Sequence, residues 1–187
     1  YDLYCPIVSG VDREYTYEEA CGLVLEACRP LGERYGELLR RAMNERWIDV
    51  YENRGKTTGA FSCGVYGVHP YVLMNFTGRL DDVFTLAHEL GHAMHSYLSD
   101  EAQPFPSHDY KITVAEVAST VNEVLLTKYL LGAEDDPHRR AHILNHFLEG
   151  FRTTVFRQTL FAEFESRAHK MYRDGTPLTA ECLGKLY

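Results

Sequence analysis

Residues 88–92 read His-Glu-Leu-Gly-His, inside a stretch whose apolar side chains fall at Val83, Leu86, Leu90, Met94 and Tyr97. That spacing predicts an amphipathic helix over about 82–98 with one apolar stripe. On such a helix two histidines four apart share a face, so His88 and His92 can hold one tetrahedral metal. Glu89 is displaced around the helix, poorly placed as a ligand but within reach of a water held by the metal.

A catalytic metal of this kind takes three protein ligands and keeps one position open. A third histidine six residues beyond His92 is excluded, because Leu98 stands there and His95 occupies the intervening position that would require glycine. A carboxylate on the following helix remains, and Glu116 is the candidate. Its neighbours Ala115, Ala118 and Ser119 are small enough to let two helices approach closely. Glu123 lies two turns further along the same face, where it can accept the free N–H of a ligand histidine or simply sit as a solvated helix glutamate. Asp100 and Glu101 rank below Glu116 because they fall at the helix end, before Pro104. His95 either lines the cleft or is a structural histidine. His69, His108 and His169 have no ligand spacing, and His138, His142 and His146 read as one helix face.

The rest of the chain predicts a mainly α fold with a small antiparallel β-sheet. Thr16 and Glu19 form a capping box for a helix to about residue 28, Pro30 interrupts it, and a second helix covers about 31–44. Strands are expected over 47–51 and 71–76, with Gly55, Gly59, Gly64 and Gly67 punctuating the loop between them. Helices follow over about 113–131, ended by Gly132, and from Asp136-Pro137 to about 173 with a break at Gly150. Thr179 caps a last helix. The expected organisation is a single unit over 1–187: a helical lead-in (1–45), a sheet with a glycine-rich loop (46–80) and a helical metal-binding region (81–187).

Composition narrows the partners. The chain has 187 residues, 45% of them apolar, and a net charge of -8 with no basic stripe, which argues against nucleic acid. No apolar run approaches the roughly 20 residues of a membrane helix. Cys5, Cys21, Cys28, Cys63 and Cys182 are odd in number and form no C-x-x-C pair, so reduced thiols in a cytoplasmic setting are expected. The sequence opens on Tyr1 with no initiator methionine or signal peptide and stops at Tyr187 within a helical pattern, so a piece of a longer protein is expected.

Several stretches together resemble oligoendopeptidase F, within the thimet-oligopeptidase-like zinc peptidases. They are Trp47-Ile48-Asp49-Val50-Tyr51-Glu52-Asn53, the run from Gly55-Lys56 to Gly59-Ala60, His69-Pro70-Tyr71, Phe84-Thr85-Leu86-Ala87-His88-Glu89-Leu90-Gly91-His92, Ala115-Glu116-Val117-Ala118-Ser119-Thr120 with Asn122-Glu123, Arg157-Gln158, and Phe161-Ala162-Glu163-Phe164-Glu165. The resemblance implies a zincin-like core in which His88, His92 and Glu116 bind Zn2+ and Glu89 is the catalytic glutamate. It also implies a narrow cleft that admits short peptides. Full-length members of the family are longer and carry an N-terminal helical part and a C-terminal segment with substrate-binding histidine and tyrosines. The expected activity is endopeptidase cleavage of oligopeptides, and the alternative is a catalytically incomplete zinc-binding helical module. Strand 71–76 is expected to offer its edge to an extended peptide, with the loop at Gly64, Tyr66 and Gly67 folding over it. Exposed apolar surface is expected to favour pairing with a second copy.

Overall fold

The computed structural model describes residue 8 and residues 13–187. Most of the irregular lead-in expected at the N-terminus, and Cys5, lie outside the described residues. The chain divides into two compact units, one over 9–143 and one over 144–187.

The first unit opens on α1 (Tyr17–Ala27). Thr16 and Glu19 close the expected capping box, with Glu19 N–H donating to Thr16 Oγ1 (3.1 Å) and Thr16 N–H to Glu19 Oε2 (2.8 Å). Pro30 sits in a 3-10 turn, Arg29–Leu31, and α2 (Glu33–Asn44) follows.

Three short strands come next: β1 (Ile48–Asp49), β2 (Phe61–Cys63) and β3 (Tyr71–Leu73), in the order β1-β3-β2. β2 runs antiparallel to β3, with Ser62 opposite Val72, whereas β1 runs parallel to it, with Ile48 opposite Val72. The sheet is therefore mixed rather than antiparallel throughout. A parallel pair needs a crossover, and the missed strand β2 lies within that crossover. It is three residues long, too short to show alternation. The crossover is pinned from inside: Lys56 Nζ donates to the carbonyls of Asp49 (3.1 Å) and Tyr51 (2.7 Å), and Asn75 Nδ2 to those of Thr57 (2.9 Å) and Gly59 (2.8 Å). The arrangement also corrects the expected peptide edge. β3 is the central strand, with a neighbour on each side, so it offers no edge; β2 is an edge strand.

α3 (Leu80–Ala102) carries the His-Glu-Leu-Gly-His run through the core. Val83, Leu86, Leu90 and Met94 are fully buried as the stripe predicts, and they meet Val24, Leu39, Trp47, Met74 and Leu126 from the surrounding elements. The helix starts earlier than its apolar stripe because Asp82 holds its entry. Asp82 Oδ2 accepts from Thr77 N–H (2.9 Å), Thr77 Oγ1 (2.8 Å) and Arg79 N–H (2.9 Å). α4 (Ile112–Ala133) packs on α3 and runs through Gly132 rather than ending there. Arg140 supplies the reason, since its guanidinium donates to the carbonyls of Leu131 and Glu134 (the latter at 2.8 Å), which removes the need for a glycine cap.

α5 (Pro137–Phe151) begins as expected, with Asp136 Oδ1 accepting from Arg139 N–H (2.8 Å). The second unit contains the end of α5, α6 (Arg157–Arg173) and α7 (Ala180–Leu186). The break expected at Gly150 is a π-helical turn, Arg152–Phe156, in an otherwise continuous helix. Hydroxyls of Thr153 and Thr154 compete there for the carbonyls of Glu149 and Gly150. Thr179 caps α7 through Cys182 N–H (3.2 Å). Among the described residues no helix is long and apolar enough to cross a membrane.

Replacing Asp82 with alanine removes the acceptor of three hydrogen bonds at the α3 entry. The expected loss is about 1–2 kcal/mol of unfolding free energy, read as a lower urea midpoint with an unchanged slope.

Candidate metal centre

α3 and α4 together build the site. His88 and His92 project from one face of α3 with their rings edge to face, and their Nε2 atoms are 3.0 Å apart. Glu116 Oε2, from the first turns of α4, lies 3.4 Å from His88 Nε2 and 3.5 Å from His92 Nε2. These three side chains form a group that could hold a metal ion. Zinc bonds of about 2.0–2.2 Å at tetrahedral angles set ligand atoms about 3.3–3.6 Å apart. The two distances to Glu116 match that edge, and the histidine pair needs to open only slightly. The three atoms therefore fit a divalent metal with a further position open.

Two of the three side chains are held from behind. Glu123 Oε1 accepts a short hydrogen bond from His88 Nδ1, which leaves Nε2 as the lone-pair nitrogen facing the cluster. Ser119 Oγ donates to Glu116 Oε2 (2.9 Å).

The close approach of the two helices depends on Gly91. A Cβ there would fall 2.6 Å from Ser119 Cα and 2.9 Å from both Ala118 O and Ser119 N. Glycine in a helix interior costs about 0.5–1 kcal/mol relative to alanine; here it removes an outright clash with the α4 backbone. Asn122, fully buried, completes the junction. Its Nδ2 donates to Ala87 O (3.0 Å), and its Oδ1 accepts from Tyr35 of α2 (3.0 Å). Sequence reasoning overlooked Gly91, Asn122 and Tyr35. The available signals were a glycine inside a strong helical pattern and an amide beside an apolar run.

Glu89 is 7% exposed, and its Oε2 is buried without a hydrogen-bond partner. Burial pushes its carboxyl above the usual range, with Glu116 adding to the rise and His88 opposing it. Burial works against a charged ring at His88, but the hydrogen bond and charge of Glu123, helped by Glu89 and Glu116, carry its pKa upward. His92 is pushed down by burial and by His88, although Glu116 pulls the other way. A bound cation would relieve the crowding of carboxylates and align both rings.

The other candidate residues lie further along α3. Gly64 packs against Ser96, one turn beyond His92; a Cβ there would sit 2.8 Å from Ser96 Cβ. Tyr66 reaches the far end of α3, where its hydroxyl donates to Gln103 O (3.1 Å) and its ring meets Phe105 and His108. Gln103 is about 16 Å from His92 at 1.5 Å per residue, so Tyr66 is not brought to the ligand atoms. Gly67 takes a φ of 82° in the same loop. His95 stacks on Tyr110 with ring centroids 3.8 Å apart, and its Nδ1 is buried without a partner. Asp100 pairs with His108 (2.7 Å) and Glu101 with Arg34, so neither joins the cluster.

Comparison with known proteins gives a consistent result. The model of peptidase family M3 matches residues 11–187. Oligopeptidase PepF of Bacillus subtilis strain 168 is 52% identical over the whole chain, which covers 28% of that protein. The chromosomal oligoendopeptidase F of Lactococcus lactis subsp. cremoris is 46% identical, again over the whole chain and 31% of the relative. A crystal structure from Chlamydophila abortus superposes with a TM-score of 0.83 at 44% identity, covering all of this chain and 31% of that one. Oligoendopeptidase-F from Enterococcus faecium superposes with a TM-score of 0.54 at 35% identity, over 94% of this chain and 27% of that one. The chain thus spans under a third of the length of these relatives.

Gly91→Ala is expected to force α3 and α4 apart and to cost about 1–3 kcal/mol. Gly22→Ala in α1, where a Cβ meets nothing within 4 Å, should be neutral or stabilising by up to about 1 kcal/mol. Urea unfolding of the two variants in parallel checks the contrast.

Proposed function

We propose, on the premise that this chain belongs to peptidase family M3, that it carries the zinc centre of an endopeptidase acting on short oligopeptides. The observation that supports this reading is the convergence of His88, His92 and Glu116 on one point with the buried carboxylate of Glu89 beside them.

In this reading His88 Nε2, His92 Nε2 and Glu116 Oε2 hold zinc. When bound, zinc supplies Lewis acidity that lowers the pKa of a water and polarises the scissile carbonyl. Glu89 does the proton work. Its unpartnered Oε2 accepts the water proton as the oxygen attacks the carbonyl carbon, and the carboxylic acid returns that proton to the departing amine nitrogen. One carboxyl can serve both halves because it takes the proton in the first and gives it back in the second. Glu123 keeps His88 in the tautomer that presents Nε2.

The peptide adds along the edge strand β2, whose residues lead through Gly64 past Ser96 of α3. Gly64 lets that backbone run close to the helix, and Tyr66 and Gly67 anchor the far end of the loop. His95 and Tyr110 form an aromatic wall one turn beyond His92. The preference for oligopeptides is drawn from the names of the relatives. Cytoplasmic residence belongs to the same proposal and is supported by the free thiols of Cys21, Cys28, Cys63 and Cys182.

Glu89→Gln in the full chain is expected to lower kcat on quenched oligopeptides by about 10²–10⁴-fold while zinc content stays unchanged. Chelation should abolish cleavage and added zinc restore it. Undiminished turnover by the glutamine variant would remove Glu89 from the chemistry and leave a zinc-binding module.

A further inference from the structure

We propose that Asn122 is a positioning residue: with Tyr35 it locks the α3 backbone at Ala87, immediately before His88 and Glu89, so that both side chains meet the metal in working geometry.

The amide is 0% exposed. Burying an amide is unfavourable unless its groups are bonded, and an apolar side chain would carry no such cost. The bonds it makes are also unnecessary for its partner's sake. Ala87 O, inside α3, already has the Gly91 N–H as its helical donor. The Asn122 Nδ2 bond of 3.0 Å is a second one to the same carbonyl, made from another helix. Its other end is equally tied, because Oδ1 accepts from the Tyr35 hydroxyl at 3.0 Å. A hydrogen-bond chain therefore runs from α2 through α4 to α3 and ends on the peptide that joins Ala87 to His88.

The position on α4 adds to the argument. Asn122 and Glu123 are consecutive, so they point about 100° apart around α4. Glu123 holds the ring of His88 and Asn122 holds the backbone that carries it. One step of α4 fixes both the side chain and its anchor. A shift of well under 1 Å in the α3 backbone moves a ligand histidine and the general base together, and such misplacement is costly in catalysis.

The inference rests on the zinc-peptidase reading for what is being positioned, and the test separates the two. Asn122→Asp keeps an acceptor for Tyr35 but sets an oxygen against Ala87 O, and Tyr35→Phe removes one hydroxyl with little risk to folding. Leu130→Ala, two turns further along α4 and buried, is the control for lost stability. Zinc affinity by chelator competition should fall about 10–100-fold in Asn122→Asp and about 3–10-fold in Tyr35→Phe. In the full chain kcat should fall with KM unchanged. Leu130→Ala should lose comparable thermal stability and keep its zinc affinity. Hydrogen exchange at the Gly91 amide of the zinc-free protein should quicken in Asn122→Asp and not in Leu130→Ala. Unchanged zinc affinity in both Asn122→Asp and Tyr35→Phe, or an equal loss in Leu130→Ala, overturns the proposal. If the parent protein binds no zinc, the peptidase reading falls instead, and Gly91 exchange alone decides whether Asn122 restrains α3.

Discussion

The contact between Gly91 of α3 and the Ala118–Ser119 backbone of α4 is where the site is decided. With the two helices this close, a carboxylate from one reaches the imidazoles of the other without stretching either side chain. Glu116 lies 3.4 and 3.5 Å from the two ring nitrogens, and Glu123 and Ser119 engage His88 and Glu116 from the same helix. A single methyl at Gly91 would put a carbon 2.6 Å from Ser119 Cα. The separation it demands is comparable to the tolerance of a metal site.

That constraint also explains the electrostatics. Three glutamates and two histidines gather at this junction: His88 feels Glu123, Glu89 and Glu116, and Glu89 feels His88 and Glu116. Glu89 is the most buried of the carboxylates, and its pKa rises chiefly for that reason. Glu116 is more exposed, and its Oε2 lies beside both imidazoles. Desolvation is thus the leading effect on Glu89.

Much of this was legible in the sequence because it rests on period. The stripe at Val83, Leu86, Leu90 and Met94 placed α3, and the histidine spacing placed both imidazoles on one face; Glu116 was singled out by the exclusion of a third histidine and by its small neighbours, and Glu123 by the helical period. What was not legible rests on tertiary geometry. The parallel pairing of β1 with β3 depends on a crossover held by Lys56 and Asn75, which have no periodic signature. β2 is too short to show alternation, so the edge was assigned to β3, which proved to be central. Gly132 looked like a helix stop, but Arg140, from the next helix, takes over the carbonyls that a glycine cap would have served. Asn122 took no role of its own from the sequence, because its partners Tyr35 and Ala87 are remote in sequence.

The segment between α3 and α4 has a consequence for metal capture. His92 and Glu116 stand on either side of it, so an ion joining them closes a ring of backbone. In a slack chain that closure would carry an entropic penalty growing with the logarithm of ring size. Here the ring is already laced shut: Ser96 Oγ meets Tyr110 OH (2.7 Å), Ser99 Oγ donates to His108 O (2.6 Å), and His108 pairs with Asp100. The conformational freedom that a metal would otherwise have to remove has been surrendered during folding. An ion bound there would enter as a guest in a finished vessel, and its binding energy would go into coordination rather than into shaping the polypeptide.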